Sequence, residues 1–451
     1  MRTQKSQGMK TFIIIWLGQL TSMIGSGMIG FALGVWIYDQ TGQATPFALT
    51  ALFSAVPRLL LSPLAGALAD RWNRKKIMLI SDSLSGLVTL GTAILLLTGN
   101  MQIWMVYLLS FFDSVFASFQ QPAYSASIVM LVPKDQLTRA NSMVQLGQAI
   151  ESILTPVLAG ALFSLIGMGG ILLIDLITYL FAVVVLIMVY IPQPEQVSAK
   201  SQEKVSVFKD VAVGWRYLSD RKGLLGLLIY FAGVNFLANI SAVMVGPLVL
   251  SFSSPASMGF TQTMMGLGML GGSLIMSMWG GPKKNRIRTV IGSIALAATG
   301  FIITGLHPSL VFVSAGLFVL LFFIPFGSGT SSGIFAEKVP PDLQGRVLAT
   351  RSMISQSMMP LAFILSGVFA DHVFTPLLLE GGALAGTFVG DVLGVGPGRG
   401  IGLMLICSGI LLMLISGLAY AYPRIRRIEI EVPDAIPNQA AAVVDASPDK
   451  A

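Results

Sequence analysis

Gly66-Ala67-Leu68-Ala69-Asp70-Arg71-Trp72-Asn73-Arg74-Lys75-Lys76 is the stretch on which the fold turns. It links two apolar runs, residues 46–69 and 77–97, each matching the roughly 20 residues a helix needs to cross a bilayer. Arg71, Arg74, Lys75 and Lys76 anchor the link on the cytoplasmic side, where basic residues near span ends are retained. Asp70 adds nothing to that orientation, so its place among the bases calls for another role. At the membrane edge it can face the positive N-terminus of a neighbouring helix. Gly66 removes a side chain where two helices must approach closely. The blander alternative is a positive-inside loop; the embedded acid favours a gate.

The same alternation of apolar run and short break continues along the whole chain. Twelve spans are expected, at residues 11–38, 46–69, 77–97, 103–131, 141–165, 170–191, 224–252, 260–280, 289–306, 310–336, 347–370 and 400–422. Hydrophobic residues make up 54% of the 451, and only 28 basic and 21 acidic side chains occur, against a charged share of roughly 25% in soluble proteins. That balance excludes a soluble enzyme and predicts an all-α membrane protein of twelve transmembrane helices. An even count puts both termini on one side, and 25 of the 28 basic residues fall in segments on that side, the cytoplasm. The net charge of +7 is thus an orientation signal facing anionic lipid, with no nucleic-acid partner implied. The first span lacks a following small-residue cleavage site and reads as a retained helix.

Cofactor chemistry finds no support. The single cysteine, Cys407, lies in an apolar run, and His307 and His372 are far apart, so no metal-ligand cluster is expected. No phosphate-binding loop of the G-x4-G-K-[ST] form occurs, which leaves ion or substrate gradients as the energy source.

The two halves repeat. Val132-Pro133-Lys134-Asp135 and Arg139 recur as Val339-Pro340-Pro341-Asp342 and Arg346, and Leu158 and Gly160 recur as Leu365 and Gly367, all 207 positions on. The expected organisation is an N-terminal six-helix bundle (1–191), a cytoplasmic connector (192–222), a C-terminal six-helix bundle (223–422) and a cytoplasmic tail (423–451) whose composition predicts disorder. The Gly-rich outer loop 372–399 is expected to be mobile. Parallel repeats of this sort place a substrate site at their interface near the midplane.

The stretch from Gly66 to Lys76 resembles the cytoplasmic signature of the major facilitator superfamily, G-x-L-A-D-R-x-x-R-K-x, and stands where that family has it, between spans two and three. The resemblance implies that Gly66, Asp70, Arg71, Arg74 and Lys75 latch the cytoplasmic side by bridging to the start of span eleven, near Arg346. The second-half counterpart, residues 276–286, keeps the bases but has Gly280 in place of Asp70. Trp16-Leu17-Gly18-Gln19, Tyr38-Asp39-Gln40-Thr41-Gly42, residues 57–66 from Pro57-Arg58 onward and Gly345-Arg346-Val347 are similar to the branch of bacterial macrolide-efflux and enterobactin-export proteins. Gly147, Pro156 and Gly160 partly resemble the antiporter signature of drug:proton exchangers, with Ser152, Thr155 and Ala159 in place of glycines. Packing alone explains such residues equally well.

Ionisable groups at membrane depth are costly, so each asks for a partner or a function. Arg58, Asp113 and Glu151 each lie about ten to twelve residues into a span, roughly 15–18 Å from the face at 1.5 Å per residue. They are the candidates for proton coupling or for a cationic substrate; a static ion pair that fixes helix packing is the alternative. Asp82 is expected to join the latch with Arg74 or Lys75, and Asp175 to reach water near the outer end of span six. Glu337, Arg346 and Arg351 form a candidate second-half gate. Asn235 and Asn239, one turn apart, either bond across helices or face substrate.

These readings converge on a secondary active transporter, not an enzyme, that exports an amphipathic small molecule in exchange for protons. It is expected to be a multi-pass protein of the bacterial inner membrane, in contact with lipid and monomeric. An uptake symporter on the same fold is the nearest alternative, and a polytopic membrane enzyme a more distant one.

Overall fold

The computed structural model describes residues 8–192 and 207–435, and every regular element among them is helical. Only helices satisfy every backbone N–H and C=O within one apolar segment, which is what a bilayer demands of an open chain. The first group comprises α1 (Gly8–Thr41), α2 (Ala44–Arg71), α3 (Arg74–Leu97), α4 (Ile103–Leu131) and α5 (Leu137–Met188). An amphipathic helix α6 (Val207–Ser219) follows, and then α7 (Lys222–Leu250), α8 (Pro255–Trp279), α9 (Arg286–Leu306), α10 (Leu310–Lys338), α11 (Pro341–Ser357) and α12 (Met359–Phe369). Short helices α13 (Thr375–Leu378) and α14 (Phe388–Leu393) precede α15 (Arg399–Ala421), α16 (Pro423–Arg426) and α17 (Ile428–Glu431).

Local chemistry explains the ends. Gly42, at φ 62°, closes α1, and Asn73 caps α3 by accepting from the Lys76 N–H at 3.0 Å. Ser254 caps α8 through the Ser257 N–H at 3.3 Å, and Gly280 ends α8 in the left-handed conformation. At 52 residues α5 would be about 78 Å long if straight, more than twice a bilayer core. Gly167, at φ 64° and ψ −172°, breaks it into two abutting helices. Ten described segments are long and apolar enough to cross a membrane. Dividing the longest at Gly167 and adding the 25-residue α8, which is less apolar, accounts for twelve.

α1 packs on α5, α4 on α2 and α3, and α3 also on α5; α9 packs on α10 and α15, α10 on α8, and α7 on α15. Two seams join these groups, α5 against α8 and α12 against α2. Each is built on glycine. A Cβ on Gly160 would stand 2.8 Å from the Pro255 carbonyl oxygen, one on Gly259 2.2 Å from that of Pro156, and one on Gly367 2.6 Å from Thr45 Cα. Gly160 and Gly367 are the residues that the 207-residue repeat pairs, so the repeat has a packing meaning.

Both seams lie toward the end of the bundle that carries residues 42–43 and 371–399. At the opposite, basic end, α11 packs on α6 and α7 and has no comparable contact with α2. The bundle is therefore sealed at one end and parted at the other.

Three expectations are corrected. The loop 372–399 is ordered: a π-turn at Ala370–Phe374, helices α13 and α14, and bonds such as Gly396 N–H to the Leu378 carbonyl at 2.8 Å hold it. Arg399 is not in an outer loop but buried, donating to the Leu393 carbonyl at 3.0 Å. Residues 423–435 are structured because Ile425, Ile428 and Val432 are buried. Glu429 accepts the Ile287 N–H at the start of α9, and Lys338 donates to the Glu429 and Val432 carbonyls and pairs with Asp434 at 2.7 Å. The rest of the expected tail, like residues 193–206 of the connector, lies outside the described residues.

Candidate functional site

Polar side chains one helical turn apart, Ser22 and Ser26 on α1, Ser85 and Thr89 on α3, Asp175 and Tyr179 on α5, project onto single helix faces. These faces meet inside the first group of helices. Asp175 is fully buried and accepts from Thr89 Oγ1 at 2.8 Å, with Ser26 Oγ 3.5 Å away. Ser26 donates to Tyr179 Oη at 2.9 Å, and Tyr179 donates to Asp113 at 3.4 Å, with Ser85 beside that carboxylate. Asp175 thus belongs to this network and does not reach interfacial water; the turn at Gly167 is so tight that the residue lies deeper than a longer loop would have left it. A Cβ on Gly25 would stand 2.8 Å from Asp175 Oδ1, so this glycine is what lets α1 close over the acid.

Of the three expected midplane charges, Asp113 is half-buried, with the Tyr179 hydroxyl at 3.4 Å and Ser85 beside it. Glu151 lines a cavity of about 330 Å³ with Gly27 of α1, Thr155 of α5 and Gln262 of α8. Arg58 is exposed and forms no ion pair with either acid among the described residues, although its charge acts on both. A static buried ion pair is therefore not the arrangement in this state.

The signature between α2 and α3 serves as a clamp here. Arg74 donates to the Ala126 carbonyl on α4 at 3.0 Å, and Lys75 Nζ to the Ile187 and Val189 carbonyls at the end of α5, at 3.0 and 2.7 Å. Cations on the last carbonyls of a helix complement its dipole. Arg71 is exposed, Gly66 has open space where a Cβ would go, and the Asp70 side chain lies outside the described residues. Asp82 is not paired with Arg74 or Lys75. It is buried one helix face away, accepting from Gln19 Nε2 at 3.1 Å, while Gln19 accepts from Gln120.

In the second group Glu337 and Arg351 do not form a gate pair. Glu337 pairs with Arg286, because α9 begins beside the end of α10. Arg351 turns inward: its Cζ stands 4.5 Å from the Phe335 ring centroid and 5.5 Å from that of Phe231, and Nη2 donates to Ser331 at 3.3 Å. Arg346 lies in the first turns of α11, its carbonyl accepting from Thr350 at 2.8 Å. Arg351, Asn235 and Asn239 line a cavity of about 590 Å³ walled by α7, α9, α10 and α11, a size that suits a drug-like ligand.

One residue with no sequence signal bridges the two groups at the sealed end. Gln43 provides no side-chain cap for α2, and Asp371, just after α12, fills that place: its carboxylate accepts the Ala44 and Thr45 N–H groups at 2.9 and 2.7 Å. Position 164, the repeat equivalent of Asp371, is Ser164.

A membrane-spanning helical bundle parted at one end around cavities and sealed at the other is the build of a small-molecule transporter. The Major Facilitator Superfamily model matches residues 15–363, and the chain belongs to that family. It is similar to macrolide efflux protein A of Streptococcus pyogenes, 28% identical over 80% of this chain and 90% of that one. It is also similar to the enterobactin exporter EntS of Salmonella typhimurium, 24% identical over 69% and 73%. Among solved structures, a bacterial homologue of the human lysosomal transporter Spinster, inward-facing and unoccupied, superposes with a TM-score of 0.71 at 14% identity over 97% of this chain and all of that one. The nucleoside transporter NupG superposes with a TM-score of 0.67 at 13% identity over 91% and 100%.

Proposed function

We propose that the chain exports an amphipathic small molecule across a bacterial plasma membrane in exchange for protons. Residues 1–191 and 223–422 act as two six-helix bundles joined by the connector 192–222, and a single chain suffices. Both termini, the Gly66–Lys76 signature and the parted end face the cytoplasm, so the state described is inward-facing. Support for the orientation comes from the sequence, in which 25 of the 28 basic residues fall in segments expected on one side. Support for export comes from the efflux relatives.

The observation that carries proton exchange is the placement of the acids. Glu151 stands on a cavity wall at the α5–α8 seam, with Asp113 and the fully buried Asp175 behind it on the far side of α1. A carboxylate inside a closing bundle is destabilised when charged and tolerated when protonated, so alternating access can load and release a proton there. Asp175 is fully buried and fixed by a 2.8 Å bond, whereas Asp113 is only half-buried and Glu151 faces open space. The last two are the proton carriers in this reading, Arg58 sets their balance, and Gly66, Asp70, Arg71, Arg74 and Lys75 close the cytoplasmic side in the opposite state.

Everted vesicles loaded with the chain test this directly. Addition of a substrate amphipath collapses an imposed pH gradient, and Asp113→Asn or Glu151→Gln abolishes the collapse. Full exchange in both variants refutes the assignment, and accumulation only in right-side-out vesicles would make the protein an uptake symporter.

A further inference from the structure

The cavity of about 590 Å³ is electrostatically one-sided: Arg351 is on its wall and no Asp or Glu is. The guanidinium is half-buried, has no carboxylate within 4.0 Å among the described residues, and makes one hydrogen bond, the long one to Ser331. A charge left so at membrane depth is costly. Part of that cost is offset by the rings of Phe231 and Phe335, since a cation is attracted to an aromatic face. The rings leave most of the planar donor fork unused, and that fork matches a carboxylate or similar oxyanion. One turn apart on α7, Asn235 and Asn239 donate their amide N–H to the Phe231 and Asn235 carbonyls, at 2.8 and 2.7 Å. Their Oδ1 atoms receive no donor among the described residues, so they stand ready to accept one from a ligand.

We infer that this cavity binds an amphipathic organic anion, its acidic group on Arg351, its apolar body along the α7, α9 and α10 walls, and a hydroxyl or amide N–H on Asn235 or Asn239. The inference rests on the transport reading above and names its substrate class. It divides the work between the two groups of helices, with the acids of the first handling protons while the second holds the cargo.

The test needs no gradient and no transport. Full-length protein in zwitterionic nanodiscs is titrated with 11-(dansylamino)undecanoate and with its methyl ester, and binding is read from dansyl fluorescence. The carboxylate binds about tenfold more tightly than the ester, a difference of about 1.4 kcal/mol. Arg351→Gln removes that preference while ester binding stays the same, and Arg351→Lys keeps a reduced preference because a point charge lacks the fork. If Arg351→Gln fails to assemble, Arg351→Met, which keeps the stem against both rings, makes the same comparison. Equal binding of acid and ester by the wild type, or an unchanged preference without the guanidinium, overturns the inference. A carboxylate preference in a protein that moves nothing in everted vesicles would overturn the transport reading and leave this site standing.

Discussion

Asp371→Asn removes the charge from the contact that joins α2 to the segment after α12 at the sealed end. In the state described, the carboxylate accepts two backbone N–H groups, at 2.9 and 2.7 Å, from the N-terminus of α2. Hydrogen bonds to a charged group are worth about 1.5–3 kcal/mol each, and a helix N-terminus adds roughly 0.3–1 kcal/mol for a negative charge. An amide oxygen keeps one neutral bond of about 1 kcal/mol. Allowing for half-exposure, we expect a net loss of about 2–3 kcal/mol, a shift of roughly 30- to 150-fold toward the state open at this end. The loss weighs on one state only, because an opened seam hands both partners to water. The assay is thiol labelling: in a Cys407→Ser background, Ala48→Cys places a reporter at a position only 1% exposed, one turn beyond the bonds. A membrane-impermeant maleimide added from outside labels it far faster in Asp371→Asn than in the parent, and Asp391→Asn, at an exposed acid on α14, changes nothing. Labelling unmoved by Asp371→Asn, or raised as much by Asp391→Asn, would refute the reasoning.

Gly367→Ala puts a Cβ 2.6 Å from Thr45 Cα and should hold the same seam open, raising labelling of the same reporter cysteine without abolishing insertion. Thr89→Val withdraws the 2.8 Å donor from a fully buried carboxylate and should cost about 1–3 kcal/mol, read as earlier thermal unfolding in detergent. In Thr89→Val/Asp175→Leu, where no acid remains to satisfy, much of that stability should return. Lys338→Met frees the Glu429 and Val432 carbonyls and Asp434; trypsin should then cut after Arg426 or Arg427 several-fold faster than in the parent.

Hydropathy and basic flanks made the helices legible, because a span is announced by twenty consecutive residues and needs no knowledge of its neighbours. The acids were legible as a list but not as a network. Depth along a helix can be counted, yet the direction a side chain faces depends on partners, so Asp82 found Gln19 and Glu337 found Arg286. Some signals were present and outweighed. The spacing of Ile425, Ile428 and Val432 is helical, but the surrounding polar composition suggested disorder; the turn-spaced pairs Ser85 and Thr89, Asp175 and Tyr179 marked one polar core. Asp371 had no such mark, since its partners are backbone groups that any residues at positions 44 and 45 would offer.

The two glycine seams are matched in shape, but their chemistry differs. α8 is capped from within by Ser254, so separating it from α5 leaves that cap intact. α2 borrows its cap from across the seam, so separating it from α12 must hydrate a carboxylate and two amide groups together. One seam is thus a hinge that carries its own cap and the other an ionic clasp, and it is the clasp that salt in the surrounding medium would loosen.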